Sequence, residues 1–510
     1  MNDPCGVFRD ESGTWHLYYQ YNPTGIVFGN QHWGHATSKD LYHWSNQPVA
    51  LIPPGKNLAL YSGSAVVDKN NTSGLFPNQT NGVVAIYTLS ETLADGSAGP
   101  QTQALAYSRD GGFNFTHYEH NPIIDINSQH FRDPKVMYYQ DHWVILIAYS
   151  REFTVGIFTS TNLINWTHAS NFSHHGFEGF QWECPNLVRM GHYNDEGQKQ
   201  GDAWVMFLSI HPGAPFGGTI TQYYPGNFNG THFEAADSIA RVVDSGKDYY
   251  AMQFFNGVPS NEDPVSIAWA SNWLYAQNVP TNQENWQGTM TLPRQHFVTK
   301  TTDIGWKLVS KPYNLQHVMG ETVSFQQNLN NRILAIDFSN VDSNAVYWEV
   351  NVTGVPERDK ISTPMSLNFT FLNPNTAEYV RAGYHFGGHL SRDFAGDTPF
   401  FLDRGGARGF DSVFFTDKFS ITSTHNKNEW SVSGVLDRSI IEVFLNGGID
   451  SATITYFTLE PLTVMLLSTP DMPQFMRVSM RLVGLKSSWE SSTSPGGPVH
   501  GSQSEITLGH

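Results

Sequence analysis

Short apolar runs of strand length, each bounded by polar or turn-forming residues, recur along this chain, and helical periodicity is scarce. Residues 136–139, 142–150, 154–160 and 164–170 form one series of four such runs. The same order occurs earlier, over residues 7–8, 14–21, 33–38 and 42–51. Both series end alike, in Ser38-Lys39-Asp40-Leu41-Tyr42-His43-Trp44 and in Ser160-Thr161-Asn162-Leu163-Ile164-Asn165-Trp166. A looser copy, Ser108-Arg109-Asp110-Gly111-Gly112-Phe113-Asn114-Phe115, lies between them. Four short strands repeated as a unit predict the blades of a β-propeller. First strands starting near Asp3, Ser62, Asp133, Glu183 and Tyr249 give five blades over residues 1–300.

Beyond a linker at 301–325 the repeat signature stops. Strand-like runs continue at 333–338, 346–352, 365–371, 379–386, 412–415, 431–435, 440–445, 452–457, 462–467 and 476–482. Many short strands at close spacing predict a β-sandwich, here over 326–486. Residues 487–510 are rich in Ser, Gly and Pro and read as a mobile tail or an arm ordered by a partner. The fold class is therefore all-β: a five-bladed β-propeller followed by a C-terminal β-sandwich.

Composition narrows the partners. The chain has 510 residues and a net charge of −17, which excludes nucleic acid, whose phosphates need basic patches. No apolar run is long enough for a membrane span. The only cysteines are Cys5 and Cys184, so no disulfide framework is implied; both read as walls of a pocket. The histidines show no metal-binding spacing, His174-His175 reads as a surface loop, and no cofactor is implied. Asparagine sequons at Asn70, Asn71, Asn78, Asn114, Asn165, Asn171, Asn229, Asn351 and Asn368 point to a glycosylated, secreted protein. The numbering begins directly at the Asn2-Asp3-Pro4 run, so an upstream segment is expected to precede Met1.

Three acids stand out against this repeat. Asp3, Asp133 and Glu183 each stand just before a proline and an apolar run, in Asp3-Pro4-Cys5-Gly6-Val7-Phe8, Asp133-Pro134-Lys135-Val136-Met137 and Glu183-Cys184-Pro185-Asn186-Leu187-Val188. One Asp-Pro alone starts turns. Three acids in register at the start of inner strands converge on the propeller axis, and paired carboxylates are what glycosidic cleavage requires: one nucleophile or base, one proton donor.

These motifs resemble those of glycoside hydrolase family 32, the invertase and inulinase family. Met1-Asn2-Asp3-Pro4, Phe131-Arg132-Asp133-Pro134 and Trp182-Glu183-Cys184-Pro185 carry the likeness. Supporting segments are Trp15-His16-Leu17-Tyr18-Tyr19-Gln20-Tyr21-Asn22-Pro23, Trp33-Gly34-His35-Ala36-Thr37-Ser38, Tyr61-Ser62-Gly63-Ser64 and Val435-Leu436-Asp437-Arg438-Ser439-Ile440-Ile441-Glu442-Val443-Phe444. Asn227-Phe228-Asn229-Gly230-Thr231-His232-Phe233-Glu234 and Gly246-Lys247-Asp248-Tyr249-Tyr250-Ala251 are similar to yeast-type members in particular.

The resemblance implies a retaining β-fructofuranosidase acting on sucrose and also on short fructans, with Asp3 as nucleophile, Glu183 as general acid/base and Asp133 as stabiliser of the fructose hydroxyls. It places Asn2, Gln20, Phe28, Trp33, Ser62 and Trp286 around the fructose. Arg132, next to Asp133, is expected to anchor that group or a sugar hydroxyl by charge-assisted hydrogen bonds. Asp244 and Lys247 fall near the leaving-group sugar. The chain departs from the family at Cys5, Phe28, His211 and Gln287, which bear on transfer to sugars rather than on hydrolysis. An exo-inulinase or a fructosyltransferase is the alternative enzyme, and a sugar-binding lectin the non-enzymatic one. The sandwich is expected to brace the propeller and to mediate a homodimer.

Overall fold

The computed structural model describes residues 1–489 apart from 195, 281–286, 302–304, 357–360, 362, 364, 388–398 and 424–427. The elements described are β-strands and two single-turn helices, Ser150–Glu152 and Leu315–His317. The tail expected to be mobile lies, from residue 490 on, outside the described residues.

Three antiparallel four-stranded meanders open the chain. The first is β1 (Pro4–Arg9), β2 (Trp15–Tyr21), β3 (His32–Ser38) and β4 (Trp44–Leu51); the second is β5 (Leu58–Val67), β6 (Val83–Thr92), β7 (Ala98–Ser108) and β8 (Thr116–His117). The third is β9 (Phe131–Tyr139), β10 (His142–Tyr149), β11 (Thr154–Ser160) and β12 (Thr167–Ser173). An eight-stranded sheet follows. It joins β13 (Trp182–Tyr193), β14 (Lys199–Ile210), β15 (Ile220–Phe228) and β16 (Phe233–Ala235) to β17 (Tyr250–Phe254), β18 (Val265–Trp269), β19 (Arg294–Thr301) and β20 (Gly305–Pro312). The junction is a short parallel pairing, His192 with Val298 and Tyr193 with Thr299.

The first strands of these units are tied side by side through their side chains. Ser64 Oγ on β5 accepts the Val136 N–H on β9 at 2.8 Å, and Asn186 on β13 donates to the Met252 carbonyl on β17 at 2.9 Å. Asn256, just past β17, exchanges backbone hydrogen bonds with Val7 and Arg9 on β1 and donates a side-chain N–H to the Ala65 carbonyl on β5. Strand ends from distant parts of the chain therefore meet around one axis.

The remaining strands are β21 (Met319–Gln327), β22 (Ile333–Asp337), β23 (Ala345–Val355), β24 (Met365–Leu372), β25 (Tyr379–Phe386), β26 (Pro399–Asp403), β27 (Lys418–Thr422), β28 (Asn428–Asp437), β29 (Ile440–Leu445), β30 (Asp450–Thr455), β31 (Val464–Ser468) and β32 (Arg477–Leu485). They form two six-stranded sheets, β21-β32-β23-β28-β29-β30 and β22-β31-β24-β25-β26-β27. Both sheets contribute to one core, with Trp348 and Val350 from β23 packed among Phe369, Phe371, Tyr384 and Trp430. Residues alternate in and out along β24, as expected of a sheet with one covered face.

Two boundaries differ from expectation. Residues 301–325 are not an unstructured linker, because β20 completes a hairpin with β19 and β21 pairs with β32. Residues 412–415 form a turn rather than a strand: Val413 is 88% exposed and Phe414 is exposed too, so that only Phe415 of the apolar run is buried.

Two buried arginines fasten the two parts together. Arg294 on β19 is 0% exposed and donates to Asp244 Oδ2 at 2.8 Å and to Glu442 Oε2 on β29 at 2.5 Å. Arg404, just past β26, donates to Asp248 Oδ2 at 2.9 Å. Gly246, between those two aspartates, lies directly on β30: a Cβ there would come within 2.0 Å of the Thr453 carbonyl oxygen.

Candidate active site

Each first strand carries a β-bulge at the same place. On β1 two residues, Gly6 and Val7, face Leu17 alone, and on β5 Tyr61 and Ser62 face Thr88. On β9 Asp133 and Pro134 face Ile147, on β13 Cys184 and Pro185 face Leu208, and on β17 Ala251 and Met252 face Ala268. In four of the five, the first bulged residue is left-handed: Gly6 at φ +49°, Asp133 at +63°, Cys184 at +50° and Ala251 at +51°. A bulge re-aims the side chains around it, and left-handed non-glycine residues concentrate at functional sites.

Aligning the strands on these bulges corrects the expected register of the acids. Asp133 is the left-handed residue itself, Glu183 stands one before it, and Asp3 three before it. The acids enter the pocket from three levels of the inner strands rather than from one repeated position. The prolines that follow them hid this, because Pro4 precedes its bulge whereas Pro134 and Pro185 lie within theirs.

Two of the acids, Asp3 and Asp133, nonetheless meet at one thiol, and Glu183 is the residue before it. Cys184 Sγ lies 3.8 Å from Asp3 Oδ2 and 3.6 Å from Asp133 Oδ2, and the Cys184 N–H donates to Asp133 Oδ2 at 3.0 Å. Asp3 also accepts from Asn2 Nδ2 at 3.1 Å and Ser62 Oγ at 2.9 Å. Burial, opposed by the Asn2 hydrogen bond and reinforced by the charge of Glu183, pushes the Asp3 carboxyl up to about 6. Asp133 is also raised: burial outweighs the neighbouring Arg132 guanidinium, and Glu183 adds to it. Burial and the charge of Asp3 push the Cys5 thiol up to about 12, and burial and the charge of Asp133 raise Cys184 well above the ordinary thiol value, so both are neutral. Both cysteines are free, as expected of pocket walls.

Glu183 is surrounded by donors. Arg132 Nε and Nη2 contact Oε1 at 3.0 and 2.8 Å, Gln181 Nε2 contacts the same oxygen at 3.3 Å, and the Tyr250 hydroxyl donates to Oε2. The Arg132 guanidinium is thus the cation of the cluster. It faces Glu183 and the Gln101 side chain, rather than forming its hydrogen bonds to Asp133.

Residues 1–312 match the glycosyl hydrolases family 32 N-terminal domain. The chain belongs to glycosyl hydrolases family 32. It is 40% identical to the extracellular exo-inulinase of Meyerozyma guilliermondii and 38% identical to invertase 2 of Saccharomyces cerevisiae, each over 90% of this chain and 87% of the relative. Among solved structures, the β-fructofuranosidase of Schwanniomyces occidentalis complexed with fructosyl-erythritol superimposes with a TM-score of 0.81 at 33% identity, covering 95% of each chain. Exo-inulinase from Aspergillus awamori superimposes with a TM-score of 0.83 at 29% identity, covering 96% of each.

The family pocket implied for this chain is partly assembled by its own hydrogen bonds. Gln20 donates to Cys5 Sγ at 3.5 Å and accepts from Gln31 Nε2 at 3.1 Å, and Gln31 also donates to Asn2 Oδ1 at 3.1 Å. Phe28 is 42% exposed and forms an aromatic rim with Tyr61 and Trp273, its ring 5.8 and 5.6 Å from theirs. Trp33 is fully buried, with its N–H on the Tyr61 carbonyl at 3.1 Å, so it backs the pocket rather than lining it. Lys247 is half-buried at the rim, donating to the Phe216 carbonyl at 2.6 Å. Trp286 lies outside the described residues.

Asp244 is not brought into the pocket. Its side chain is 0% exposed and filled by Arg294, Ser451 and Thr453, which makes it part of the fastening to the sandwich. Sequence reasoning missed Tyr250 on Glu183, Gln31 behind Asn2, and Thr88, whose hydroxyl accepts the Asp133 N–H at 2.9 Å. Tyr250 was within a quoted family segment. Thr88 stands opposite the β5 bulge and Gln31 just before β3, and neither carries a motif.

Proposed function

We propose that the chain hydrolyses sucrose and fructans as a retaining β-fructofuranosidase, with Asp3 as nucleophile, Glu183 as acid/base and Asp133 as the stabilising third carboxylate. The single observation that carries this assignment is the Cys184 junction, which holds Asp3 and Asp133 on one thiol while Glu183 precedes it in sequence. In the first step Asp3 attacks the anomeric carbon, that carbon's bond to the bridging oxygen breaks, and Glu183 gives its proton to the departing oxygen. In the second, Glu183 takes a proton from water, the water oxygen attacks the same carbon, and the Asp3 carboxylate leaves. The donors around Glu183 hold it in one orientation through both steps, and Arg132 supplies the positive charge that keeps three acids together.

The five bulged first strands support a five-bladed propeller in which the eight-stranded sheet is two blades bridged by the β13–β19 pairing. On this reading the propeller runs to residue 312 and the sandwich starts at β21. Departures at Cys5, Phe28, His211 and Gln287 support fructosyl transfer alongside hydrolysis; the His211 ring stands 5.9 Å from Trp273 and 6.3 Å from Tyr250, beside Glu183. No sequon asparagine is buried, which supports a secreted glycoprotein, and no helix of the described residues is long and apolar enough to cross a membrane. Ile333 on the edge strand β22, 77% exposed, supports a homodimer through the sandwich.

The test is product analysis on concentrated sucrose and on inulin. Free fructose from both is the expected outcome, with transfer products rising as sucrose is raised. No fructose from either substrate would sink the assignment.

A further inference from the structure

Asp248, Tyr249 and Tyr250 are consecutive, and each is held by a different charged group. Asp248 is fully buried. Its Oδ2 accepts from Arg404 Nη1 at 2.9 Å, from the Thr455 N–H at 2.8 Å and from the Thr455 hydroxyl at 3.1 Å, all on the sandwich side. Its Oδ1 accepts from the Tyr275 hydroxyl at 2.5 Å, to which Arg404 Nη2 also donates at 3.3 Å. The Tyr249 ring lies under Arg294, with Cζ 4.8 Å from its centroid, and Arg294 is paired to Glu442 of the sandwich. Tyr250 donates its hydroxyl to Glu183 Oε2.

The backbone leading into these residues is docked as well. The Ser245 N–H donates to the Ser451 carbonyl at 2.8 Å and the Asp248 N–H to the Thr453 carbonyl at 3.1 Å, so the segment runs along β30. The three acids stand on or beside β1, β9 and β13 and need nothing from the sandwich for their own placement. One of the groups that orient Glu183, the donor on Oε2, does: Tyr250 is two residues from a carboxylate whose position the sandwich sets.

We infer that Arg404 of the sandwich is a positioning residue for Glu183. With Tyr275 it fixes Asp248, and through residues 248–250 it fixes the Tyr250 hydroxyl on the carboxylate. The guanidinium suits this task because its planar fork sets direction as well as distance, satisfying a carboxylate, a phenol and the Thr455 carbonyl together. An acid/base group loses efficiency when its supporting shell is displaced by a fraction of an ångström, so a change made in the sandwich is felt at proton transfer. The inference rests on the assignment of Glu183 as acid/base.

Tyr275→Phe is the main test, because it removes the hydroxyl shared by Asp248 and Arg404 and leaves their charges paired. The double variant Arg404→Met with Asp248→Asn removes both charges and is the second. For each, kcat and KM are measured on sucrose and on p-nitrophenyl β-D-fructofuranoside, whose leaving group departs without a proton. Tyr275→Phe is expected to lower kcat on sucrose about 5- to 10-fold, within the range general acid/base catalysis supplies, with KM and the nitrophenyl substrate changed less than about 2-fold. In a Tyr250→Phe background it should have no further effect, because the two residues act through one hydrogen bond. Equal losses on both substrates, or losses that multiply in the Tyr250→Phe background, would overturn the inference and leave Arg404 a purely structural lock. An unsubstituted chain that cleaves neither substrate would refute the β-fructofuranosidase reading itself.

Discussion

The axial pocket and the fastening between propeller and sandwich are both buried clusters of charge, and they are balanced in opposite ways. At the fastening each arginine meets its carboxylates with every oxygen bonded: Arg294 with Asp244 and Glu442, Arg404 with Asp248. In the pocket three carboxylates share one guanidinium, Arg132, which sits on Glu183 and leaves Asp3 and Asp133 to neutral donors. Burial therefore lifts Asp3 and Asp133 well above the usual carboxylate range. Carboxylates that each meet a guanidinium hold the architecture, whereas carboxylates left without one mark the place where a substrate will be met.

The sharpest way to break the comparison is to remove one acid at a time. Asp3→Ala should abolish cleavage of both sucrose and an activated fructoside, a loss of several orders of magnitude, since no covalent intermediate forms. Glu183→Ala should lose about 10²- to 10⁴-fold on sucrose and much less on the activated substrate, with partial rescue by azide. Azide rescue of Asp3→Ala, with Glu183→Ala at full activity on sucrose, would reverse the two roles.

Arg294→Met tests the other half. It strands Asp244 and Glu442 in a fully buried site, and stranding one side of a buried pair typically costs about 3–5 kcal/mol. Denaturant unfolding should show that loss, with kcat per folded molecule close to normal. A variant as stable as the parent would show that the lock is not under charge balance at all.

These two regions were not equally legible in the sequence. The strands and the three acids could be read, because alternation and turn residues are local signals and the Asp-Pro and Glu-Cys-Pro motifs are compact. The bulges could not, since a bulge is defined by the strand opposite. For that reason Asp3, Asp133 and Glu183 looked equivalent although they stand at different levels. Asp244 was misread for a related reason: it looked like a rim residue beside Lys247, but the partners that bury it are 50 to 209 residues away. Burial of a charge is a property of its partners, and no window of sequence around Asp244 contains them.

Asp3→Asn sharpens the contrast by reporting on function and stability together. The Asp3 carboxyl is raised from an ordinary 3.8 to about 6, so the folded state holds its proton more tightly than the unfolded chain does. Its contribution is favourable below pH 3.8 and is lost as the pH rises through about 6. The neutral amide escapes that loss. Asp3→Asn should therefore be inactive yet more stable than the parent by about 3 kcal/mol at pH 7, with the gain fading toward pH 4. The same gain at both pH values would trace it to packing rather than to charge.

The smallest expected effect tests which group sets the acid limb of activity. Ser62 Oγ donates to Asp3 Oδ2 at 2.9 Å, and this bond favours the ionised carboxylate that the proposed nucleophilic role requires. Removing it in Ser62→Ala makes Asp3 easier to protonate, so the acid limb of the kcat/KM profile should move to higher pH. A hydrogen bond to a charged group is worth about 1.5 kcal/mol or more in such a site, which corresponds to a displacement of about 1 pH unit. The alkaline limb should stay where it is, because Ser62 makes no contact with Glu183. If the acid limb stays and the alkaline limb moves, the group that must be ionised is not Asp3, and the uneven charge balance of the pocket has some other purpose.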